Sequence, residues 1–223
     1  MYLDANEIID LIYNSPRAIH IFNSLKAILE KEQLKREQFY NDISEDQKAE
    51  FIHGKMILHS PVKFRHAKAS DFLFTLLQVF VGKHNFGYVG HEKLMIQLTR
   101  NDYEPDICFF LKEISDQFKP DQMLFPAPDF VVEVLSKSTE KTDRTIKYDD
   151  YALHGVKEYW IIDSEKEIIE QYLLENEKYF LNQKSGNGSI KSNVIEGFEI
   201  PVRAVFDKSE NDKVLNAIIA STK

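Results

Sequence analysis

The clearest pattern of apolar and polar positions lies in the second half of the chain. The apolar run Phe130–Leu135 carries a single acid, Glu133, and the aromatic run Glu158–Asp163 follows it after a helical pattern over Thr139–His154. Such a strand–helix–strand unit predicts two parallel neighbouring strands joined by a right-handed crossover. An ionised carboxylate inside an apolar strand is costly unless something binds it, so Glu133 is the first candidate functional residue.

The same patterning predicts the remaining elements of an α/β (α+β) fold, in which helices flank a mixed sheet. A glycine in His53-Gly54 favours a tight hairpin, and a wide apolar face favours a core helix over Ala67–Val81. Helices are also expected within 1–47, 112–125 and 211–220, and strands at Ala49–Ile52, Lys55–His59, Tyr88–His91, Lys93–Leu98, Asp106–Leu111, Ile168–Leu174 and Lys178–Gln183.

The first 47 residues differ in character from the rest. Pro16 can open a helix, and Leu25–Phe39 consists of good helix formers with a narrow apolar stripe. A solvated helix on the domain or against a dimer partner is favoured over a basic DNA-binding arm, because glutamates interrupt the bases. Ser44–Gln47 fits a capping box that opens a short helical turn. The expected regions are a helical extension (1–47), a core domain (48–206) and a C-terminal helix or tail (207–223).

Composition limits the class of protein. The chain has 223 residues, 43% of them hydrophobic and 29% charged, which suits one globular domain with a substantial core. The single Cys108 lies in an apolar run, where a buried inert thiol is expected, and it leaves no cysteine cluster for zinc. A signal-peptide pattern and a bilayer-spanning apolar run are both missing from the sequence, so a reducing cytoplasm is the expected compartment. The net charge of −8 counts against nonspecific coating of nucleic acid but allows a local basic groove.

Three Pro-Asp pairs supply candidate partners for Glu133. Asp129 shares its strand face, but the four-residue separation puts their Cα atoms roughly 13 Å apart, so Asp129 is expected to be a cap or loop residue. Asp106, at the start of a neighbouring apolar strand, is the better partner. Two such carboxylates form a hard-oxygen site suited to Mg²⁺ or Mn²⁺, together with waters and a substrate phosphate. The alternative is that one acid is an exposed strand-end residue.

A set of bases follows Glu133 on the predicted helix. Lys137, Lys141, Arg144 and Lys147 are spaced by four, three and three residues and span about 120° of helix surface. A stripe of this kind could line a phosphate groove. A solvated helix face is the alternative, because neighbouring acids offset the charge and Asp143 is spaced as an ordinary ion-pair partner of Lys147.

Taken together, these motifs resemble the Uma-two family of restriction-endonuclease-like proteins, within the PD-(D/E)XK nuclease superfamily. The resemblance covers residues 48–206. It rests on Pro105-Asp106, PDFVVEVLSKST, Asp143 with Lys147 and Tyr151, HGVKEYWIID, the hairpin AEFIHGKM and the helix FRHAKASDFLFTLL.

The resemblance implies a nuclease core of a helix, three strands, a helix and a strand. It implies Asp106 and Glu133 as metal ligands, with Glu50 of the hairpin completing the site. The superfamily lysine normally lies two residues after the glutamate, where this chain has Leu135. The resemblance transfers the catalytic role of that lysine to Lys147.

The implied function is a Mg²⁺-dependent (or Mn²⁺-dependent) DNA endonuclease. Its possible DNA contacts are His66, which could equally brace its helix, and Lys137, Lys141 and Arg144. A catalytically silent nuclease-fold module and a hydrolase of small phosphoesters are the alternatives. A homodimer is expected from the class, because cutting both DNA strands commonly needs two sites, with the hairpin 168–181 and the N-terminal helices as candidate interfaces.

Overall fold

A computed structural model describes residues 5–44 and 47–221. Over these residues the chain forms seven α-helices, one short 3₁₀ helix (Val202–Val205) and thirteen strands. The helices are α1 (Ala5–Tyr13), α2 (Ala18–Asp42), α3 (Phe64–His84), α4 (Lys112–Ser115), α5 (Glu140–Asp143), α6 (Ile146–Leu153) and α7 (Lys208–Ala220). The strands are β1 (Ala49–Ile52), β2 (Lys55–Leu58), β3 (Gly87–His91), β4 (Met95–Gln97), β5 (Asp102–Tyr103), β6 (Ile107–Leu111), β7 (Leu124–Phe125), β8 (Phe130–Val134), β9 (Glu158–Asp163), β10 (Ile168–Glu175), β11 (Lys178–Ser185), β12 (Ser189–Lys191) and β13 (Glu199–Pro201).

The predicted mixed sheet with flanking helices is present, and a second mixed sheet accompanies it. The central sheet has six strands in the order β11-β10-β9-β8-β6-β3. Within it β8 and β9 are parallel, as the strand–helix–strand pattern predicts, and the other neighbours are antiparallel. A smaller sheet has the order β2-β1-β5-β4-β7, and β12 pairs with β13.

The two-residue period of the central strands decides which side chains face the site. In β8, Phe130, Val132 and Val134 join the core formed with α3, whereas Val131 joins the core formed with α6. Glu133 therefore shares the α6 face with Val131. The central sheet is thus covered on one face by α3 and α7, and on the other by α6 and part of the smaller sheet.

For two of the expected elements, the backbone shows why the bounds differ in the structure. The core helix begins at Phe64 and ends at His84, three residues beyond each expected end, because Asn85 adopts the left-handed conformation (φ +56°) that terminates it. The strand expected over Lys93–Leu98 shortens to β4, since Glu92 has φ +51° and the chain bends after it. The segment 112–125 holds α4, as expected, and also the unforeseen strand β7, which pairs in parallel with β4.

The single helix expected over 139–154 is two helices. Thr145 has φ −129° and ψ −79°, outside the helical region, so α5 ends before it and α6 begins after it. The four bases are therefore not arranged along the surface of one continuous helix in the structure.

The end of α2 packs into the domain. The Arg36 guanidinium donates to both carboxylate oxygens of Asp102 at 2.6 Å, and Glu32 pairs with Arg100 at 2.7 Å. Phe39 packs on Phe51 of β1. Residues before the boundary expected at residue 47 therefore already pack against the domain.

The predicted capping box includes residues 45–46, which lie outside the described residues. None of the described helices combines the length and the apolar character needed to cross a bilayer.

Candidate active site

Asp106 and Glu133 lie beside each other at one end of the central sheet. The strands β6 and β8 run antiparallel with Ile107 opposite Val132, and the same register brings the two acids to neighbouring positions. Asp106 is 5% exposed and Glu133 is 4% exposed. The Val134 N–H donates to Asp106 Oδ2 at 2.8 Å, which fixes one carboxylate against the strand that carries the other. The structure thus brings together the two acids that the sequence pairs.

Asp129 is separate from this pair, as its strand position predicts. Its carboxylate accepts the Leu111 N–H at 2.8 Å and the Lys157 ammonium at 2.7 Å. It therefore caps a backbone group and holds one ion pair at the opposite end of the strand.

Lys147 of α6 lies at the centre of a cluster of acids. Its Nζ atom is 2.7 Å from Glu50 Oε1, 2.9 Å from Glu133 Oε1 and 3.4 Å from Asp143 Oδ1. The side chain is 2% exposed. Tyr151, one helical turn later and on the same helix face, donates its hydroxyl to Glu133 Oε1 at 3.1 Å. The three donors of the ammonium group therefore face three carboxylates inside the protein.

Sequence reasoning missed a second lysine, Lys48. Its Nζ atom donates to Asp106 Oδ1 at 2.9 Å, and the side chain is 21% exposed. His66 Nε2 approaches the other oxygen of Asp106, at 3.3 Å. The available signal was that Lys48 is two residues before Glu50, so the two side chains project from the same face of an extended segment.

Glu104 and His59 were also missed. The Glu104 carboxylate accepts the Ala49 N–H at 2.9 Å, and His59 Nε2 is 3.1 Å from Glu50 Oε2. Glu104 is two residues before Asp106, so the pattern Glu104-Pro105-Asp106 was the readable signal for it. His59 follows the hairpin strand β2, and no pattern in the sequence linked it to Glu50.

Burial raises the pKa of three acids in this cluster. It raises the pKa of Glu133 to about 8, because desolvation and the charges of Asp143, Asp106 and Glu50 outweigh the attraction of Lys147. It raises the pKa of Glu104 to about 7. Burial also raises the pKa of Asp143, whose oxygens accept no hydrogen bond of normal geometry among the described residues. Fully ionised, the cluster would therefore hold more negative charge than its own cations neutralise.

Three other groups are held charged by their partners. Burial alone would raise the pKa of Glu50, but Lys147 and His59 outweigh it and keep that pKa at about 2. For Asp106, His66 and Lys48 outweigh burial and lower the pKa. Burial would lower the pKa of Lys147, yet its surrounding carboxylates raise it well above the ordinary value. Glu50, Asp106 and Lys147 are consequently ionised at neutral pH.

Glu104, Asp106 and Glu133 open into a cleft of about 620 Å³. Lys48, His66, Asp106, Glu133 and Lys147 all line it, and its wall also carries Lys63 and Lys137. Neither of the last two lysines has an ion-pair partner in the described part of the chain, so their charges are available to an anionic ligand.

The other two predicted bases are placed differently. Lys141 is exposed and is not among the residues that line the cleft. Arg144 donates to both oxygens of Glu170, at 2.7 and 3.1 Å, on strand β10. The four bases therefore have four separate environments rather than one common groove.

The donor chemistry of the cleft fits a divalent cation of the Mg²⁺ type. Among the described residues, no group of three or more His, Cys, Asp or Glu side chains has the spacing of a metal-ligand cluster. Mg²⁺ commonly takes only one or two carboxylates and completes its shell with water and phosphate. Asp106 and Glu133 supply such hard oxygen donors. The acids of the site also outnumber its lysines, with Glu50, Glu104, Asp106, Glu133 and Asp143 against Lys48 and Lys147.

Comparisons with known proteins agree with this architecture. Residues 32–203 match the sequence profile of the Uma2 (Uma-two) family, described as "Putative restriction endonuclease". The fold is similar to the crystal structure of "a putative nuclease belonging to DUF820" from Anabaena variabilis, with a TM-score of 0.66 and 16% identity over 80% of this chain and 97% of that chain. No curated protein matches significantly. Because the matched region covers well over half of its residues, this chain belongs to the Uma-two family.

Proposed function

We propose that this protein is a metal-dependent DNA endonuclease that hydrolyses phosphodiester bonds. The observation that carries the proposal is the pairing of Asp106 and Glu133 on adjacent strands at a cleft that also exposes lysines. Membership of a family described as restriction endonucleases, and a fold shared with a protein described as a nuclease, support it.

Mg²⁺ is the proposed cofactor, with Mn²⁺ as its substitute, and Asp106 and Glu133 are the residues that would hold it. When bound, such an ion neutralises charge on the scissile phosphate and lowers the pKa of a coordinated water. Glu50 was expected as a further ligand. Because Glu50, unlike Asp106 and Glu133, does not line the cleft, and its Oε1 lies 2.7 Å from Lys147, we assign Glu50 the role of positioning Lys147 instead.

The chain's own contribution is to place charge and fix geometry. Lys147 and Tyr151 hold Glu133, while His66 and the Val134 N–H hold Asp106. In the proposed hydrolysis, the oxygen of a water molecule bonds to phosphorus as the bond from phosphorus to the sugar oxygen breaks. The water loses a proton and the leaving oxygen gains one. Groups fixed before the reaction lower its barrier because they need no rearrangement during it.

Double-stranded DNA is the proposed substrate, and Lys63 and Lys137 on the cleft wall are the proposed phosphate contacts. His66 and Lys141 stay candidates from the sequence, whereas the guanidinium of Arg144 is already occupied by Glu170. Because the net charge is −8, binding will depend on these local cations and will weaken steeply with salt. A homodimer and a cytoplasmic location remain parts of the proposal.

The test is nicking of supercoiled plasmid by the purified protein in Mg²⁺ or Mn²⁺. We expect Asp106→Asn and Glu133→Gln to slow nicking by about 100-fold or more, the usual scale for losing transition-state charge stabilisation. Asp129→Asn is the matched control, because Asp129 also follows a proline but does not line the cleft. This variant should nick at the wild-type rate. DNA binding without cleavage under every divalent metal would favour the silent module. Hydrolysis of a small phosphoester but not of DNA would favour the third alternative.

A further inference from the structure

The two lysines of the site differ in what they can still bind. Lys147 Nζ has carboxylate oxygens of Glu50, Glu133 and Asp143 within 3.4 Å, and the Tyr103 ring covers it at 5.6 Å. An ammonium group has three donors and no acceptor. To contact a phosphate in the cleft, Lys147 would have to abandon buried carboxylates, and an unpaired buried charge is strongly unfavourable.

Lys48 is in the opposite situation. Its ammonium makes one ion pair, with Asp106 Oδ1 at 2.9 Å, and its side chain is partly exposed in the cleft. Two of its three donors therefore remain for a ligand while the contact with Asp106 is kept.

The backbone around Lys48 is held in place. The Lys48 carbonyl accepts the His59 N–H at 3.0 Å, and the next residue, Ala49, donates its N–H to the Glu104 carboxylate at 2.9 Å. Ala49 is itself fully buried. The ammonium group is therefore presented from a fixed anchor beside Asp106, rather than from a mobile loop.

We propose that Lys48 is the catalytic lysine that contacts the scissile phosphate, and that Lys147 is a positioning residue for Glu133 and Glu50. This assignment rests on the proposed nuclease function. It differs from the assignment implied by the family resemblance, in which Lys147 of α6 takes the catalytic role of the missing strand lysine. The point charge and the free donors of Lys48 suit a phosphodiester oxygen next to the proposed metal ligand.

The experiment compares Lys48→Met, Lys48→Gln and Lys178→Met, the last a matched control on an exposed lysine of β11. Binding of a labelled DNA duplex is measured in EDTA over a range of KCl concentrations, and plasmid nicking is measured in Mg²⁺. Lys48→Met should reduce the slope of log K against log [KCl] by about one. It should slow nicking by about 100-fold. Lys178→Met should change neither. Lys48→Gln retains a hydrogen-bond donor for Asp106. It replaces Lys48→Met in both measurements if the melting temperature of Lys48→Met falls below that of the wild type.

The two readouts decide the assignment between them. A folded Lys48 variant with wild-type slope and rate overturns it. Slower nicking with an unchanged slope would mean that Lys48 acts through Asp106, and a changed slope with normal nicking would mean that it contacts a different phosphate. Either result also overturns it. If the wild-type protein neither binds nor cleaves DNA, the proposed function itself fails. If the wild-type protein is active and the Lys48 variants are unaffected, only the role of Lys48 fails.

Discussion

Glu133 was the most informative residue in the sequence, because an ionised carboxylate in an apolar strand is unfavourable unless another group binds it. Two partners were foreseeable. Asp106 could be placed on the next strand from the strand pattern, and the family resemblance pointed to Lys147. The depth of Lys147 was not foreseeable, because helical spacing suggests a direction for a side chain but not what covers it. Lys48 was not predicted because its partner Asp106 lies 58 residues away and only its spacing of two residues from Glu50 indicated the site.

At this scale we predict that Lys147 is needed for folding more than any exposed lysine. Lys147→Met leaves Glu50, Glu133 and Asp143 without their shared cation, so the free energy of unfolding should fall by about 3–5 kcal/mol. Urea unfolding followed by circular dichroism measures it. Lys157→Met removes an ion pair whose lysine is largely exposed and should cost about 1 kcal/mol or less. Equal losses for the two variants would contradict the central position of Lys147.

At the scale of elements, long periodic segments were predictable and short ones were not. The hairpin at His53-Gly54 and the parallel pair β8 and β9 are present as expected. The strands β5 and β7 have two residues each, too few to show a period. The break between α5 and α6 leaves no strong sequence signal, because Thr145 is only a moderate helix former.

The ion pair between Arg144, which follows α5, and Glu170 of β10 predicts that the stability of the protein depends on pH. Burial would raise the pKa of Glu170, but Arg144, Tyr172 and Lys184 outweigh it and hold that pKa at about 2. A depressed folded-state pKa stabilises the protein above the unfolded value of about 4.3 and loses this effect as pH falls towards 2. Unfolding free energies of wild type and Glu170→Gln should therefore differ most above about pH 5 and converge in acid. A constant difference between pH 6 and pH 3 would contradict the ion pair.

The N-terminal helices predict self-association. Of the 22 large apolar side chains that are exposed among the described residues, ten lie between residues 8 and 29, on α1 and the first half of α2. Phe22, Leu25 and Leu29 follow spacings of three and four that continue into Glu32, Arg36 and Phe39, which are buried against the domain. Phe22, Leu25 and Leu29 thus form an exposed apolar seam on the part of α2 that does not contact the domain. This spacing is typical of paired helices, so we propose that a second copy of the chain covers the seam.

Light scattering tests this interface. The wild-type protein should be a dimer, and Phe22→Glu combined with Leu29→Glu should be a monomer, because charges on the seam would be buried in the dimer. Asn23→Glu, one position off the seam, is the control and should remain dimeric. A wild-type monomer at high concentration would exclude this interface.

At the scale of the whole molecule, the fold class and family follow from the sequence, whereas the shape of the cleft does not. The matched region begins at residue 32, within α2, which agrees with the docking of Glu32, Arg36 and Phe39 on the domain. The smaller sheet supplies Glu50, Glu104 and the anchor of Lys48. Its hairpin β1–β2, its pair β4 and β5, and its strand β7 come from separate segments of the chain, and no local pattern shows that these segments meet.

We propose above that Asp106 and Glu133 together hold a divalent metal in the cleft. Anomalous diffraction from crystals soaked in Mn²⁺ tests it most directly, because it locates the ion without relying on activity. We expect a peak coordinated by carboxylate oxygens of both residues, and we expect this peak to be lost in Glu133→Gln. A well-ordered soaked crystal with no peak at this pair, or with Mn²⁺ bound only elsewhere, would contradict it.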